Sequence, residues 1–306
     1  MKILVTGGAG FIGSNIADAF VEAGHSVVIV DDLSGGREEN VHPKAKLYRM
    51  DIRDAAVENV FREEGFDVMC HHAAQMDVRR SVADPAFDAS VNVLGFLNLM
   101  EAGRKHGLKK VLFASTGGAI YGEQDYFPAD ERHPTRPLSP YGITKLVTEK
   151  YLFFYKETYG IDHVILRYAN VYGPRQSPHG EAGVVAIFTS KMFKGEQPVI
   201  NGDGTQTRDY VFVGDVVKAN LLALGMPGSD IFNIGTGIET DVNELFRVIR
   251  KHTGSACEER HVPAKAGEQK RSVISSAKIG AALGWSPSVR IDEGLKRTVD
   301  FLRSRR

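Results

Sequence analysis

Tyr141 and Lys145 stand four residues apart in Ser139-Pro140-Tyr141-Gly142-Ile143-Thr144-Lys145, at the head of a helical pattern over Tyr141–Tyr159. Four residues is close to one turn, so the two side chains share a helix face. A phenol with a pKa near ~10 is a poor base at neutral pH. A neighbouring ammonium stabilises the phenolate and pulls that pKa down, which makes the pair a candidate proton-transfer unit. Taken alone, the spacing is common on helices and more often reflects surface packing. Hydroxyls lie upstream: Ser115 and Thr116 close the apolar run Lys110-Val111-Leu112-Phe113-Ala114, ahead of Gly117-Gly118-Ala119-Ile120-Tyr121-Gly122. They can hydrogen-bond a substrate oxygen, or simply build a Ser/Thr turn.

The elements that position these groups start at the first residue. Lys2-Ile3-Leu4-Val5-Thr6 reads as a buried parallel strand, followed at once by Gly7-Gly8-Ala9-Gly10-Phe11-Ile12-Gly13. A helical pattern through Ile16, Ala17, Phe20 and Val21 ends at Gly24, and Ser26-Val27-Val28-Ile29-Val30 is a second strand closing on Asp31. Glycines permit the tight turn and let backbone N–H groups approach a pyrophosphate at the helix N-terminus, where the dipole favours anions. Gly13 lets the helix pack close to the sheet. An acid ending the second strand can bond a ribose 2′-hydroxyl and repel a 2′-phosphate, so Asp31 points to NAD rather than NADP. With strand, turn, helix, strand and acid all in place, the stretch is read as a dinucleotide site, and Tyr141–Lys145 gains the cationic nicotinamide ring as a second phenolate stabiliser.

Strand and helix patterns alternate through about the first 167 residues. Further strands are expected at Ala45–Arg49, Asp67–His71, Lys110–Ala114 and His163–Arg167, and helices around Arg53–Glu64, Ala86–His106 and Tyr141–Tyr159. This alternation predicts an α/β fold with a doubly wound, Rossmann-type parallel sheet whose ligands sit beyond the carboxyl ends of the strands. After residue 167 glycine, proline and loop signals dominate, with strand signals at Asp209–Val213 and Asp230–Ile234 and helix patterns at Asp215–Leu224, Asp241–His252 and Ile291–Leu302. The division expected is a cofactor domain over 1–167, with 209–235 returning to it, and a smaller interleaved C-terminal substrate lobe from 168–208 and 236–306.

The totals allow one large domain or two intimate ones. The 306 residues suffice for a sizeable core, and 38 basic side chains against 38 acidic ones advertise neither nucleic acid nor an anionic membrane. Cys70 and Cys257 are far apart and lack metal-site spacing, which suits a reducing compartment. No signal-peptide pattern precedes the first strand and no run of about 18 apolar residues could span a bilayer. A cytoplasmic protein is expected.

Further runs carry a resemblance: His71-His72-Ala73-Ala74-Gln75, Asn92-Val93-Leu94-Gly95, Leu166-Arg167-Tyr168-Ala169-Asn170-Val171-Tyr172-Gly173-Pro174-Arg175, Gly202–Val211 and Asn233-Ile234-Gly235. Together with the glycine turn and Tyr141–Lys145, the chain over essentially its whole length resembles the extended short-chain dehydrogenase/reductase family, and within it the UDP-glucose (UDP-galactose) 4-epimerases. The resemblance implies that Gly7, Gly10, Phe11, Ile12 and Gly13 form the cofactor turn, Asp31 and Asp32 hold the adenosine ribose, and Asp51 and Ile52 the adenine. Ala73, Ala74 and Gln75 take the phosphates and nicotinamide side, Asn92 sits near the cofactor and Tyr168 lines the nicotinamide pocket. Tyr141 is the expected base, with Lys145 its partner and a ligand of the nicotinamide ribose. For the substrate, Asn170 contacts the phosphates, Arg208 and Arg271 clamp the diphosphate, and Val184, Phe188 and Asn201 border the uridine. Arginine forks bind phosphate oxygens at two points, which makes chemical sense of the clamp.

Two positions depart from many such epimerases. Where the catalytic hydroxyl often stands, this chain has Gly117, so Thr116 or Ser115 must supply it, with Thr116 preferred. Where some carry a bulky tyrosine beside the sugar, this chain has Ser272, which leaves room for an N-acetylated substrate. The implied reaction inverts carbon 4 of a UDP-hexose through a transient 4-keto sugar, with NAD retained throughout. A UDP-N-acetylglucosamine or dual-specificity epimerase is the alternative. A 4,6-dehydratase is disfavoured because Gly117-Gly118 replace its Asp-Glu after the threonine, and a UDP-glucuronate 4-epimerase because Asn170 stands where threonine is usual. A catalytically silent NAD-binding regulator is disfavoured by the intact Tyr141–Lys145 pair. Related epimerases are mostly homodimers through two long helices, here Ala86–His106 and Tyr141–Tyr159. The run Tyr151, Phe153, Phe154 and Tyr155 covers more than one face of its helix, which is compatible with burial on both core and partner, though core alone accounts for most of it as well.

Overall fold

The computed structural model describes residues 1–178, 183–264 and 269–305. Its first half is β1 (Lys2–Thr6), α1 (Phe11–Glu22), β2 (Ser26–Asp31), β3 (Lys46–Arg49), α2 (Val57–Glu64), β4 (Val68–His71), α3 (Val78–Ala83), α4 (Pro85–Ala89), α5 (Phe96–Lys105), β5 (Lys110–Thr116), α6 (Pro140–Tyr159) and β6 (Asp162–Tyr168). The remainder is β7 (Asn170–Tyr172), α7 (Val184–Lys194), β8 (Ile200–Asn201), β9 (Thr207–Phe212), α8 (Val213–Gly225), β10 (Asp230–Ile234), β11 (Glu239–Asp241), α9 (Val242–Thr253), β12 (His261–Val262), β13 (Arg271–Ser272), α10 (Ala277–Leu283) and α11 (Ile291–Ser304).

Seven strands form one sheet in the order β10-β6-β5-β4-β1-β2-β3, and every neighbouring pair is parallel. The order runs outward in both directions from β1 and β4, the doubly wound pattern expected from the alternation. Both faces of the sheet are covered, which is why its strands read as continuous apolar runs. Ile3, Val5, Val27 and Ile29 lie in one core layer with Ile16 and Phe20 of α1 and Val216 of α8. Leu4, Val28 and Val30 lie in the opposite layer with Phe61 of α2, Leu99 of α5 and Leu152 of α6. Each such side chain stabilises the fold by roughly 1.5–3 kcal/mol relative to exposure.

Helix α6, which carries Tyr141 and Lys145, has both ends written in the sequence. Ser139 accepts a hydrogen bond from the Gly142 amide at its N-cap, Pro140 opens the first turn, and Gly160 closes the helix at φ 72°. The expected single helix over 86–106 is instead α4 and α5 joined by a π-wound stretch, Ser90–Gly95. The wide turn carries Asn92 and brings Gly95 to a place where an added Cβ would lie 2.8 Å from the Ile52 side chain. Periodicity alone does not reveal a π turn, because one extra residue shifts the face without breaking the apolar pattern.

The C-terminal half makes two small sheets, β11-β9-β13 with β7 on β9, and β12-β8. Within 209–235, β10 joins the large sheet beside β6, whereas β9 belongs to the small one. A separate core of Phe188, Leu245, Phe246, Ile249, Leu295 and Val299 joins α7, α9 and α11. The helix α10 and the two- and three-residue strands were not anticipated, because pieces so short carry no period to read. No described helix is long and apolar enough to cross a membrane.

Candidate active site

The carboxyl ends of β1, β4, β5 and β6 converge on one edge of the large sheet, and the glycine turn after β1 fixes the geometry there. Gly7 has φ 68°, and a Cβ on it would lie 2.6 Å from the Ala73 nitrogen; a Cβ on Gly13 would lie 2.3 Å from the Gly7 carbonyl oxygen. Only glycine fits either place. Gly10 is the N-cap of α1 and gives no side-chain hydrogen bond, so the first amides of α1, from Phe11 and Ile12, are not capped by a side chain. A cradle stripped of side chains at an uncapped helix N-terminus fits a dinucleotide pyrophosphate.

Asp31 ends β2 buried, accepting from the Ala9 amide on Oδ2 at 2.9 Å and from the Leu33 amide on Oδ1 at 2.8 Å. Burial raises its pKa more than these amides lower it. Asp32 is exposed and accepts from the Ser34 amide and hydroxyl. Asp51 is held below the usual carboxylate range by the Arg53 guanidinium. Its neighbour Ile52 is turned into the core, packed with Phe96 and Phe61. On the other flank the Ala73 amide donates to Thr6 Oγ1 at 3.3 Å, and Ala74 follows, half-buried.

Gln75 and Asn92 are brought together in a buried polar cluster. The Gln75 amide donates to Asn92 Oδ1 at 2.8 Å, and Asn92 Nδ2 returns a bond to the Gln75 carbonyl at 2.9 Å. Both side chains also donate to Asp88, which takes a third bond from Thr144 Oγ1. Asn92 thus ties the loop after β4 to α6 at the residue before Lys145. Asp88 and Thr144 were not anticipated; Asp88 has the spacing of an ordinary helix-surface acid and is in fact wholly buried.

Lys145 is buried and donates from Nζ to the Ala114 carbonyl at 2.9 Å, which pins α6 against β5. Its Nζ lies 5.9 Å from the centroid of the Tyr141 ring and 4.9 Å from that of Phe113. Burial pulls the ammonium down to about 8, against the opposing carboxylates of Asp88 and Glu149. At neutral pH it is therefore largely charged, as a phenolate-stabilising partner must be.

Successive side chains of a strand face opposite ways, and this separates the two candidate hydroxyls. Ser115 is buried and donates to Glu149 Oε1 at 2.6 Å. Thr116 Oγ1 accepts from the Ala119 amide at 3.1 Å. A Cβ built on Gly118 would lie 4.0 Å from Thr116 Oγ1 and 3.4 Å from Oδ1 of the exposed Asn170, so those two groups border one small space. Gly117 also has a reason: a Cβ there would lie 2.5 Å from Cδ1 of Ile274, a residue packed into this corner with Ile120 and Tyr121. Tyr168 ends β6 with its hydroxyl accepting from Asn220 Nδ2 at 2.8 Å and meeting His72 Nε2 at 3.1 Å. It is thus committed to the core face of the sheet, and burial holds it a neutral phenol.

The substrate-side residues lie on the small sheets and α7. Arg208 on β9 is half-buried, donating to the Thr207 carbonyl at 2.8 Å, and Ser272 is its register partner on β13. Arg271, the other expected clamp, is paired with both oxygens of Glu239 and stacked 3.8 Å from the Phe127 ring centroid. Glu239 and Phe127 were not anticipated, since 32 and 144 residues of chain separate them from Arg271. Asn201 is half-buried on β8, and Val184 opens α7. Phe188 is not at an opening: it packs edge-on to Phe246 at 5.8 Å inside the lobe's core. Gly267 and Glu268 of the run before Arg271 lie outside the described residues.

Residues 3–235 match the model of the NAD dependent epimerase/dehydratase family. A UDP-glucose 4-epimerase of Mycolicibacterium smegmatis is 45% identical over 311 residues, covering 100% of this chain and 99% of the relative. A crystal structure of UDP-glucose 4-epimerase with UDP-glucose from Thermotoga maritima has 48% identity and TM-score 0.97, covering 100% of this chain and 99% of that one. A UDP-glucose 4-epimerase of Thermus thermophilus, in complex with NAD, has 46% identity and TM-score 0.94, with 99% of each chain covered. The match of the family model over most of the chain and the whole-length identities place it together with these proteins, and the chain belongs to the NAD dependent epimerase/dehydratase family.

Proposed function

We propose that this protein is a UDP-hexose 4-epimerase that interconverts UDP-glucose and UDP-galactose. The observation carrying the reading is the Lys145–Ala114 bond, which holds the helix bearing Tyr141 against the end of β5, two residues before Thr116. In the reaction, Tyr141, held as a phenolate by the Lys145 ammonium, takes the proton of the sugar's 4-hydroxyl, and Thr116 hydrogen-bonds the same oxygen. When bound, NAD supplies the group that accepts hydride from carbon 4 and gives it back. Arg208 and Arg271 anchor the diphosphate, so that the 4-keto hexose can swing about its link and present its other face. For Arg271 this means exchanging or sharing its bond to Glu239.

Residues 1–167 with 209–235 serve the cofactor in this reading, and 168–208 with 236–306 the nucleotide sugar. The buried, small Ser272 beside Arg208 favours tolerance of an N-acetyl group as well. The working form is a cytoplasmic homodimer: Ile143, Val147, Tyr151 and Phe154 make one stripe along α6, with Ile143 and Phe154 exposed, and Leu94 is exposed on the π-wound stretch. A monomer in sedimentation at micromolar concentration defeats the dimer.

The deciding experiment is proton NMR of the purified protein with UDP-galactose, then with UDP-N-acetylglucosamine, without added NAD. Conversion of the first to UDP-glucose is expected and would show retained cofactor at the same time. Conversion of the second as well would bear out the open Ser272 pocket. Inert mixtures even with NAD supplied would overturn the substrate assignment.

A further inference from the structure

Asp88 is fully buried on α4, and among the described residues the donors to its carboxylate are all neutral. Oδ1 accepts from Gln75 Nε2 at 2.8 Å and from Asn92 Nδ2 at 3.1 Å; Oδ2 accepts from Thr144 Oγ1 at 2.9 Å. Among the described residues no basic side chain forms an ion pair with it. Glu149, one turn beyond Lys145, is the opposite case: both its oxygens are bonded by Arg167, at 2.9 and 2.6 Å. Of the two buried acids near Lys145, Glu149 has a guanidinium in contact and Asp88, among the described residues, has only neutral donors.

We propose that Asp88 is a positioning residue whose unpaired buried carboxylate sets the charge balance of the Tyr141–Lys145 unit, and with it the pH window in which that unit exchanges a proton with substrate. The inference rests on the proton-transfer reading of that unit given above. The placement follows from the bonds: Thr144 precedes Lys145, and Thr144 Oγ1 also reaches the Tyr141 carbonyl at 3.0 Å. Asp88 therefore grips the turn of α6 that carries both groups. A negative charge there favours the ammonium of Lys145 and disfavours the phenolate of Tyr141.

The other groups around the pair do not substitute for it. His71 at the end of β4 and His72 just after it are held neutral by burial, and Phe113 on β5 presents only its ring. Arg167 on β6 is matched by Glu149. On the outer side of α4, Arg53 and Arg80 lie over the Phe87 ring, Arg53 is paired with Asp51, and Asp77 and Asp84 accept from backbone amides as helix caps.

Asp88→Asn isolates the charge. With its Oδ1 facing Gln75 and Asn92, the new amide can donate to Thr144 Oγ1, whose hydroxyl proton can turn to the Tyr141 carbonyl; every hydrogen bond keeps a partner. The test is kcat/KM against pH for UDP-galactose with the wild-type holoenzyme, D88N and D88E, together with ultraviolet titration of tyrosinate in each, referenced to Y141F. Both limbs of the D88N profile and the Tyr141 titration should move down by about one pH unit, while D88E keeps the wild-type limbs at reduced kcat. Unmoved limbs and an unmoved tyrosinate titration in D88N would overturn the proposal. If D88N does not fold, D88S, neutral and small enough to admit water, is read by the same two criteria. Lack of turnover in the wild type would defeat the functional reading alone, because the tyrosinate titration still decides on Asp88.

Discussion

Ser115 donates to Glu149 at 2.6 Å, and that bond removes from the cleft one of two hydroxyls that stand side by side in the sequence. Thr116, on the opposite face of β5, should then be the functional one. Thr116→Ala is expected to lower kcat on the order of 10²–10³-fold, the cost of losing one donor at the reacting oxygen. Ser115→Ala should leave kcat within a few-fold while destabilising the fold by about 1.5–3 kcal/mol, the worth of a bond to a charged group. Steady-state kinetics alongside urea denaturation separates the two. A larger kinetic loss in S115A than in T116A would reverse the assignment.

Glu149 also fixes Arg167, and each side chain of this pair is almost wholly buried. Glu149→Ala should cost about 3–5 kcal/mol, because it strands a buried guanidinium whose one remaining partner among the described residues is the Tyr121 hydroxyl at 3.0 Å. The denaturation midpoint reports it. A loss below about 1 kcal/mol would mean that water reaches Arg167 in the variant.

Lys145 gives the pH dependence a definite sign. Its ammonium is pulled down to about 8 by burial, so activity should fall as pH rises through that value and the phenolate loses its partner. Stability moves the other way. Between about 8 and the unfolded value of ~10.4 the unfolded chain binds the extra proton, so this group's contribution to unfolding free energy increases with pH. Chemical denaturation of wild type and Lys145→Met across that range measures the difference; parallel curves for the two proteins would contradict the burial argument.

At the cradle the expectation is steric. A Cβ on Gly13 would fall 2.3 Å from the Gly7 carbonyl oxygen, a backbone atom with no freedom to rotate away. Gly13→Val should therefore abolish NAD binding, measured by equilibrium dialysis, and lower the melting temperature. Gly118→Ala serves as the comparison, since its nearest neighbour is the Asn170 side chain at an ordinary 3.4 Å. Retained NAD affinity in G13V would show that the turn can reshape itself.

What the sequence determined by itself is whatever local periodicity and turn chemistry encode. Unbroken apolar runs meant strands buried on two faces, Gly7 and Gly13 meant a turn with no space for side chains, and Ser139-Pro140 with Gly160 bounded the helix that carries Tyr141 and Lys145. Tertiary structure decided what depends on the side a residue faces and what it meets there. Strand alternation sent Ser115 to Glu149 and left Thr116 apart from it, and a π-wound turn aimed Asn92 at Gln75. The same packing enclosed Asp88 and turned Tyr168 and Phe188 into core. It placed Ile274 where Gly117 could have carried a side chain, and joined Arg271 to Glu239. None of these has a local signal, because each partner arrives from a distant part of the chain and its effect is set by burial, which exists only once the layers close.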